Sequence, residues 1–322
     1  MFEATASRQG RRPRPRGIIY LARVTAASLV TSAALIAAPV VSIGSADQTI
    51  EPMILEQPVT ADAATVRANF DLAAVVLDQD DIASEVEVRV RDEDGWGDWT
   101  ALEVIAEDDG PDPATAEYAR AQRATEPLLA PGSSEIEVRV SAGSTAEVVL
   151  IDGGTRGAQP ASRASAAPSI VSRAGWGADE SLRNCTPTRL AGYKAAVVHH
   201  TVTRNDYTTE EAPSLVRSIY AYHTKTLNWC DIGYQFLVDR YGTIYEGRYG
   251  SMAHAVQGAQ SAGFNAQTFG VSILGTFTET QAPAPAMTSV DQVIQWQLGL
   301  DRVDPTGSTT FVSAGNTKHP EG

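Results

Sequence analysis

Lys194-Ala195-Ala196-Val197-Val198-His199-His200-Thr201 is the stretch on which the fold turns. An apolar run this short reads as a buried strand, and it ends on two histidines. Successive strand side chains point to opposite faces, so His199 and His200 serve different surroundings. An imidazole at such a strand end is half of a zinc site, because hydrolytic zinc takes three protein ligands and leaves a fourth position for water. Downstream, Thr208 or Thr209 caps a helix with Glu210 and Glu211 in its first turn. Leu215, Val216, Ile219, Tyr220 and His223 recur at three- and four-residue spacing, giving that helix one packing face. Residues 234–238 and 243–246 flank Arg240-Tyr241-Gly242, a hairpin signal. Residues 269–274 read as a further strand, and Ser289 as the start of a helix through 300, with Gln292 in the capping-box position.

Upstream lies a different pattern. Val86, Val88 and Val90 alternate with Glu85, Glu87 and Arg89, and Ile136, Val138 and Val140 with Glu135, Glu137 and Arg139. This period of two predicts a small all-β domain of sandwich type over 66–152, to which residues 75–77 and 148–151 add strands. Its turn Asp94-Gly95-Trp96-Gly97-Asp98-Trp99 carries two aromatics, for which sugar stacking and packing under the turn are both open, packing being the commoner use. Residues 153–168 are mostly Gly, Ala, Ser and Pro with two Arg, the composition of a flexible linker. A second domain, mixing strands and helices, then runs over 169–322.

The first 46 residues read as an export signal. Arg8, Arg11, Arg12, Arg14, Arg16 and Arg23 precede the uncharged, mostly apolar residues 24–43, and Gly44-Ser45-Ala46 supplies the small residues a signal peptidase reads. A membrane anchor is the rival reading of that stretch. A secreted, cell-wall-associated chain is expected, with residues 47–65 disordered and the membrane met only through the export signal. Six Arg and one Glu fall in the signal, leaving 19 basic against 38 acidic side chains. Such acidity argues against nucleic acid as a partner. The expected working form is a monomer.

Export also bears on the two cysteines, Cys185 and Cys230. In an oxidising compartment a disulfide is the natural reading, closing a loop of about 45 residues for roughly 4 kcal/mol on the chain-entropy model. Cys230 as a zinc ligand is the alternative.

Taken in order, Ser172-Arg173-Ala174-Gly175-Trp176-Gly177, Val198-His199-His200-Thr201, Trp229-Cys230-Asp231-Ile232-Gly233-Tyr234-Gln235-Phe236, Tyr245-Glu246-Gly247-Arg248 and Gly270-Val271-Ser272-Ile273-Leu274-Gly275 resemble the peptidoglycan recognition protein and type 2 N-acetylmuramoyl-L-alanine amidase family along about 150 residues. The N-terminal domain resembles the region preceding such amidases in exported actinobacterial proteins. The resemblance implies a central mixed β-sheet flanked by helices. It also implies a zinc enzyme that binds peptidoglycan and cuts the amide between N-acetylmuramic acid and L-alanine.

On that resemblance His199 is the zinc ligand, and Tyr234 the donor to the metal-bound water or the developing oxyanion. His254 contacts substrate, and Arg248 either pairs with a stem-peptide carboxylate or forms a surface ion pair. His200 packs or supports the site from the substrate side. His223 reads as a core histidine, His319 as a loop residue. The family's second and third ligands lie in a Gly-His-Arg motif and a Cys-Pro-Gly or Asp-Pro-Gly motif, and neither occurs here. The resemblance therefore reads the chain as cut short at its C-terminal end, and a metal-free peptidoglycan recognition module is the alternative function.

Overall fold

The structure, a computed structural model, describes residues 49–322 apart from 60–62, 79–84, 93, 106–108, 142–144, 156, 160–166, 203 and 317. The export signal expected in the first 46 residues lies outside the described residues, as does half of the expected linker. Among the described residues no helix is long and apolar enough to cross a membrane.

The N-terminal strands are β1 (Met53–Val59), β2 (Ala64–Leu77), β3 (Val86–Asp92), β4 (Gly95–Trp96), β5 (Thr100–Leu102), β6 (Leu128–Val140) and β7 (Ala146–Asp152). They form one antiparallel sheet in the order β1-β7-β2-β6-β3-β4, with β5 also on β3. The alternating valines and isoleucines point into one core, where Val86, Val88, Ile136 and Val138 are buried beside Phe70 and Val75. A single sheet replaces the expected sandwich, its register shifted between Arg67 and Phe70 and again between Phe70 and Leu72. Such bulges bend a strand and increase its twist. Residues 53–59, expected to be disordered, are instead paired along their whole length with β7. Backbone pairing on an open edge supplies the order of this segment.

The second sheet contains β8 (Ile170–Val171), β9 (Ala195–His200), β10 (Phe236–Val238), β11 (Ile244–Glu246) and β12 (Thr268–Ile273), in the order β8-β11-β10-β12-β9. β10 and β11 are the expected antiparallel hairpin, while β12 runs parallel to both β10 and β9. Gly242 turns the hairpin at φ +89°. A short helix α1 (Arg173–Trp176) follows β8, α2 (Ala212–Ala221) follows β9 and α3 (Ala284–Leu300) follows β12. Ahead of α2, Thr208 and Glu211 exchange the two hydrogen bonds of a capping box.

α2 was expected to bury one face, but every one of its residues is buried. It lies between the two sheets. Leu215, Val216 and Ile219 share one cluster with Leu72, Leu129 and Ile151 of the first sheet and Leu237 and Tyr245 of the second. Arg217, 1% exposed, reaches from α2 to the carbonyls of Gly153, Gly154 and Trp176, so the first residues of the expected linker are tied down. α3 begins five residues before the expected Ser289. Pro285 sits in its first turn, where its missing N–H costs nothing, and the Ser289 hydroxyl donates to the Gly242 carbonyl at 2.6 Å instead of capping.

Candidate functional site

β9 ends against β12 with His199 opposite Ser272. The His199 ring lies 5.3 Å from the Tyr234 ring, and its Nε2 is buried with no hydrogen-bond partner. Burial holds the imidazole below its ordinary pKa, opposed by Asp109 and a hydrogen bond to the backbone of Gln260. The unpartnered Nε2 leaves one ring nitrogen of His199 uncommitted. A neutral imidazole that spends one nitrogen on a backbone carbonyl and keeps the other lone pair free has the form of a metal ligand. His200 faces elsewhere: it is exposed, receives the Phe277 N–H at 3.4 Å and meets the Phe277 ring edge-on. Strand alternation divides the pair as expected.

Tyr234 is brought to His199 by a buried scaffold. Arg173, 4% exposed, binds Asp231 at 3.1 Å, Glu180 at 2.7 Å and the Gly247 carbonyl. Asp231 in turn accepts the N–H groups of Ile232 and Tyr249, and the Trp176 indole donates to the Glu246 carbonyl at 2.8 Å. The recurrent Arg, Trp and Asp of the sequence motifs thus fix the turn leading into Tyr234. Burial, then Glu126 and Asp109, push the Tyr234 phenol above its ordinary range, so it stays a protonated donor. His223 is buried, stacks on Trp229 at 4.8 Å and accepts the Gly233 N–H; burial pushes its pKa down to about 3. It is the core histidine expected.

Other candidates sit elsewhere. His254 is exposed on a cavity of about 200 Å³ lined with Arg189, Ser251, Gln297 and Asp301, and neither His199 nor Tyr234 lines it. Arg248 is 1% exposed; Nε donates to the Ile232 carbonyl, Nη1 to that of Gln257, and Nη2 to Glu117 at 2.6 Å. Its carboxylate partner is therefore internal, not a surface pair. Cys185 and Cys230 form the disulfide, which removes Cys230 from the candidate ligands. His319 docks edge-on against Phe264. Trp96 and Trp99 are half-buried and are flanked by arginines. Arg89 lies over both rings, and the Arg139 guanidinium is 3.7 Å from the Trp99 centroid.

Among the described residues no three His, Cys, Asp or Glu side chains are grouped to hold a metal. His199 has the free nitrogen a ligand needs, but one imidazole does not fit a three-ligand zinc site. The sequence also gave no sign of the acidic groups from the first sheet's β5–β6 loop. Asp109, Asp112, Glu117 and Glu126 lie in a Pro- and Ala-rich stretch that reads as an ordinary loop. Burial beside Asp109 and Glu103 pushes the Glu126 carboxyl up to about 7.

The second sheet thus sets an imidazole and a phenol side by side, at the end of β9 and the entry to β10. Residues 190–319 match the family described as N-acetylmuramoyl-L-alanine amidase, and residues 32–169 match the Rv3811 N-terminal galactose-binding domain-like family. Human peptidoglycan recognition protein 3 is 33% identical over 128 residues, 40% of this chain and 36% of its own length. Peptidoglycan-recognition protein SC2 of Drosophila simulans is 34% identical over 121 residues, 37% of this chain and 62% of its own. The match thus spans about a third of the human relative. The crystal structure of human PGRP-IBETAC in complex with glycosamyl muramyl pentapeptide is 34% identical, covering 43% of this chain and 80% of that one at a TM-score of 0.38. By these matches residues 190–319 are similar to the peptidoglycan recognition and type 2 amidase family, and residues 32–169 to the Rv3811 type.

Proposed function

We propose that the protein is secreted to the cell wall and binds peptidoglycan, taking the stem peptide at the face carrying His199 and Tyr234. The observation that carries this reading is the pairing of those two rings at 5.3 Å, in the domain that matches the amidase family. The Tyr234 hydroxyl, held protonated, donates to an amide carbonyl of the bound peptide, and His199 supplies a neutral nitrogen beside it. A second reading, hydrolysis of the amide between N-acetylmuramic acid and L-alanine, is favoured by the free Nε2 of His199. Zinc would polarise that amide, but the described residues offer it one ligand, and no step is derived through it. Co-sedimentation with purified peptidoglycan tests binding. The wild-type chain is expected in the pellet, and Tyr234→Phe about tenfold weaker, a loss typical of one hydrogen bond to a ligand. Failure of the wild-type protein to pellet sinks the reading. Zinc-dependent release of new L-alanine amino groups, lost in His199→Ala, would establish the hydrolytic one.

A further inference from the structure

The loop joining β5 to β6 leaves the first sheet, crosses to the amidase-type domain and returns. Its neck is closed by a bridge between Val104 and Thr125, with the Ile105 N–H donating to the Ala124 carbonyl at 3.0 Å. Beyond the neck, two carboxylates five residues apart enter receptors on the other domain. Glu117 accepts from Arg248 Nη2 at 2.6 Å, from Arg248 Nη1 at 3.3 Å and from the Cys230 N–H at 2.9 Å. Asp112 Oδ1 accepts the N–H groups of Gly263 and Asn265 at 2.7 and 3.2 Å and Asn265 Nδ2 at 2.9 Å, while Oδ2 accepts Gln257 Nε2 at 2.8 Å.

Both receptors are built without the loop. Arg248 is held by the Ile232 and Gln257 carbonyls at 2.7 Å each. Asn265 is held by its own Oδ1, which accepts the N–H groups of Gln260 and Ser261 at 2.8 and 2.9 Å. A guanidinium edge and a cluster of converging N–H donors are the chemistry that recognises carboxylates. The stem peptide that this family's ligand carries is a carboxylate-bearing peptide. The loop also reaches toward the candidate site: Asp109, at its start, lines a cavity with Trp229, whose ring stacks on His223 beside Tyr234. Further ties to the other domain include hydrogen bonds from Arg120 to the Asn228 carbonyl, from Asn228 Nδ2 to the Arg120 carbonyl, from the Gln122 N–H to the Leu227 carbonyl, from Asn265 Nδ2 to the Gly110 carbonyl and from the Tyr222 hydroxyl to the Thr125 carbonyl, while apolar packing is added at the neck by Ala121 and Ala124. Polar contacts of this kind open at lower cost than a packed core.

We propose that residues 109–126 are a strap that fills two carboxylate receptors of the amidase-type domain with the chain's own Asp112 and Glu117, and that a carboxylate-bearing peptide of peptidoglycan displaces it. The strap rests on the peptidoglycan reading above. The closed neck lets the tip leave while its ends stay paired to the first sheet. Bound peptide and closed strap exclude one another, so apparent affinity is reduced by the fraction of molecules that are open.

The test is the full chain carrying Asp112→Asn and Glu117→Gln, measured by co-sedimentation with purified peptidoglycan. Apparent affinity is expected to rise about tenfold, as when a state populated at a tenth becomes dominant. Unchanged or weaker binding overturns the strap. Because the double variant leaves Arg248 buried without its carboxylate and can lose its fold for that reason alone, the wild-type protein supplies a second measurement. Tryptic cleavage after Arg120 and Arg123 should accelerate several-fold when soluble disaccharide pentapeptide saturates the protein; equal or slower cleavage overturns the proposal. If wild type and variant bind equally, the strap falls and the peptidoglycan reading stands. If neither binds, both fall.

Discussion

Glu126 and Arg173 illustrate how single ionisable groups set the balance of this molecule. A carboxyl whose pKa is raised from 4.5 to about 7 keeps its proton in the folded state over a range where the unfolded chain has released it. The folded state then binds more protons than the unfolded one, so this group's contribution to stability falls as pH rises from about 4.5 through 7. Glu126→Gln removes that slope. Urea unfolding should find the variant gaining on wild type between pH 5 and pH 8; a constant difference between the two proteins would show that the carboxyl is not perturbed. Arg173 sits at the opposite extreme, buried with a fully buried partner, Asp231. Replacing it by Met leaves that carboxylate unpaired beneath the turn that carries Tyr234. A loss of about 3–5 kcal/mol is expected from denaturant titration, and a loss under 1 kcal/mol would mean that Asp231 finds another partner.

At the scale of elements, what could be read in the chain was whatever local pattern decides. Alternating valines located β3 and β6, the apolar run ending on His199 located β9, and a Gly-marked turn located the β10–β11 hairpin. Elements decided by a partner were not readable. β1 is a strand because β7 offers an edge to Met53–Val59, and α3 starts at Ala284 because Ser289 is used to hold the Gly242 carbonyl. The site divides the same way. Strand alternation separated His199 from His200, whereas the carboxylate that Arg248 meets is Glu117, 131 residues away in sequence, which no spacing rule connects to it. His254 followed its neighbours' resemblance but opens on a cavity of its own. Long-range polar pairs carry no local signature, because a loop carboxylate looks alike whether it meets water or a guanidinium.

For the whole molecule, residues 46–322 form one compact unit although two family patterns meet within it. Leu215, fully buried on α2, contributes to the cluster shared by both sheets. Leu215→Ala should cost about 2–5 kcal/mol through the cavity it leaves. Calorimetry should show that loss as a shift of one transition rather than the splitting of two; two resolved transitions, only one of them moved, would contradict a shared core. The helix that is wrapped on all sides has an implication for the chain's ancestry and handling. A helix with no solvent face can belong to neither sheet alone, so an excised amidase-type segment would present bare Leu215, Val216 and Ile219 to water and stick to its neighbours. The two matched regions share one interior through this helix, so a change of volume on either side of it must be met by repacking on the other.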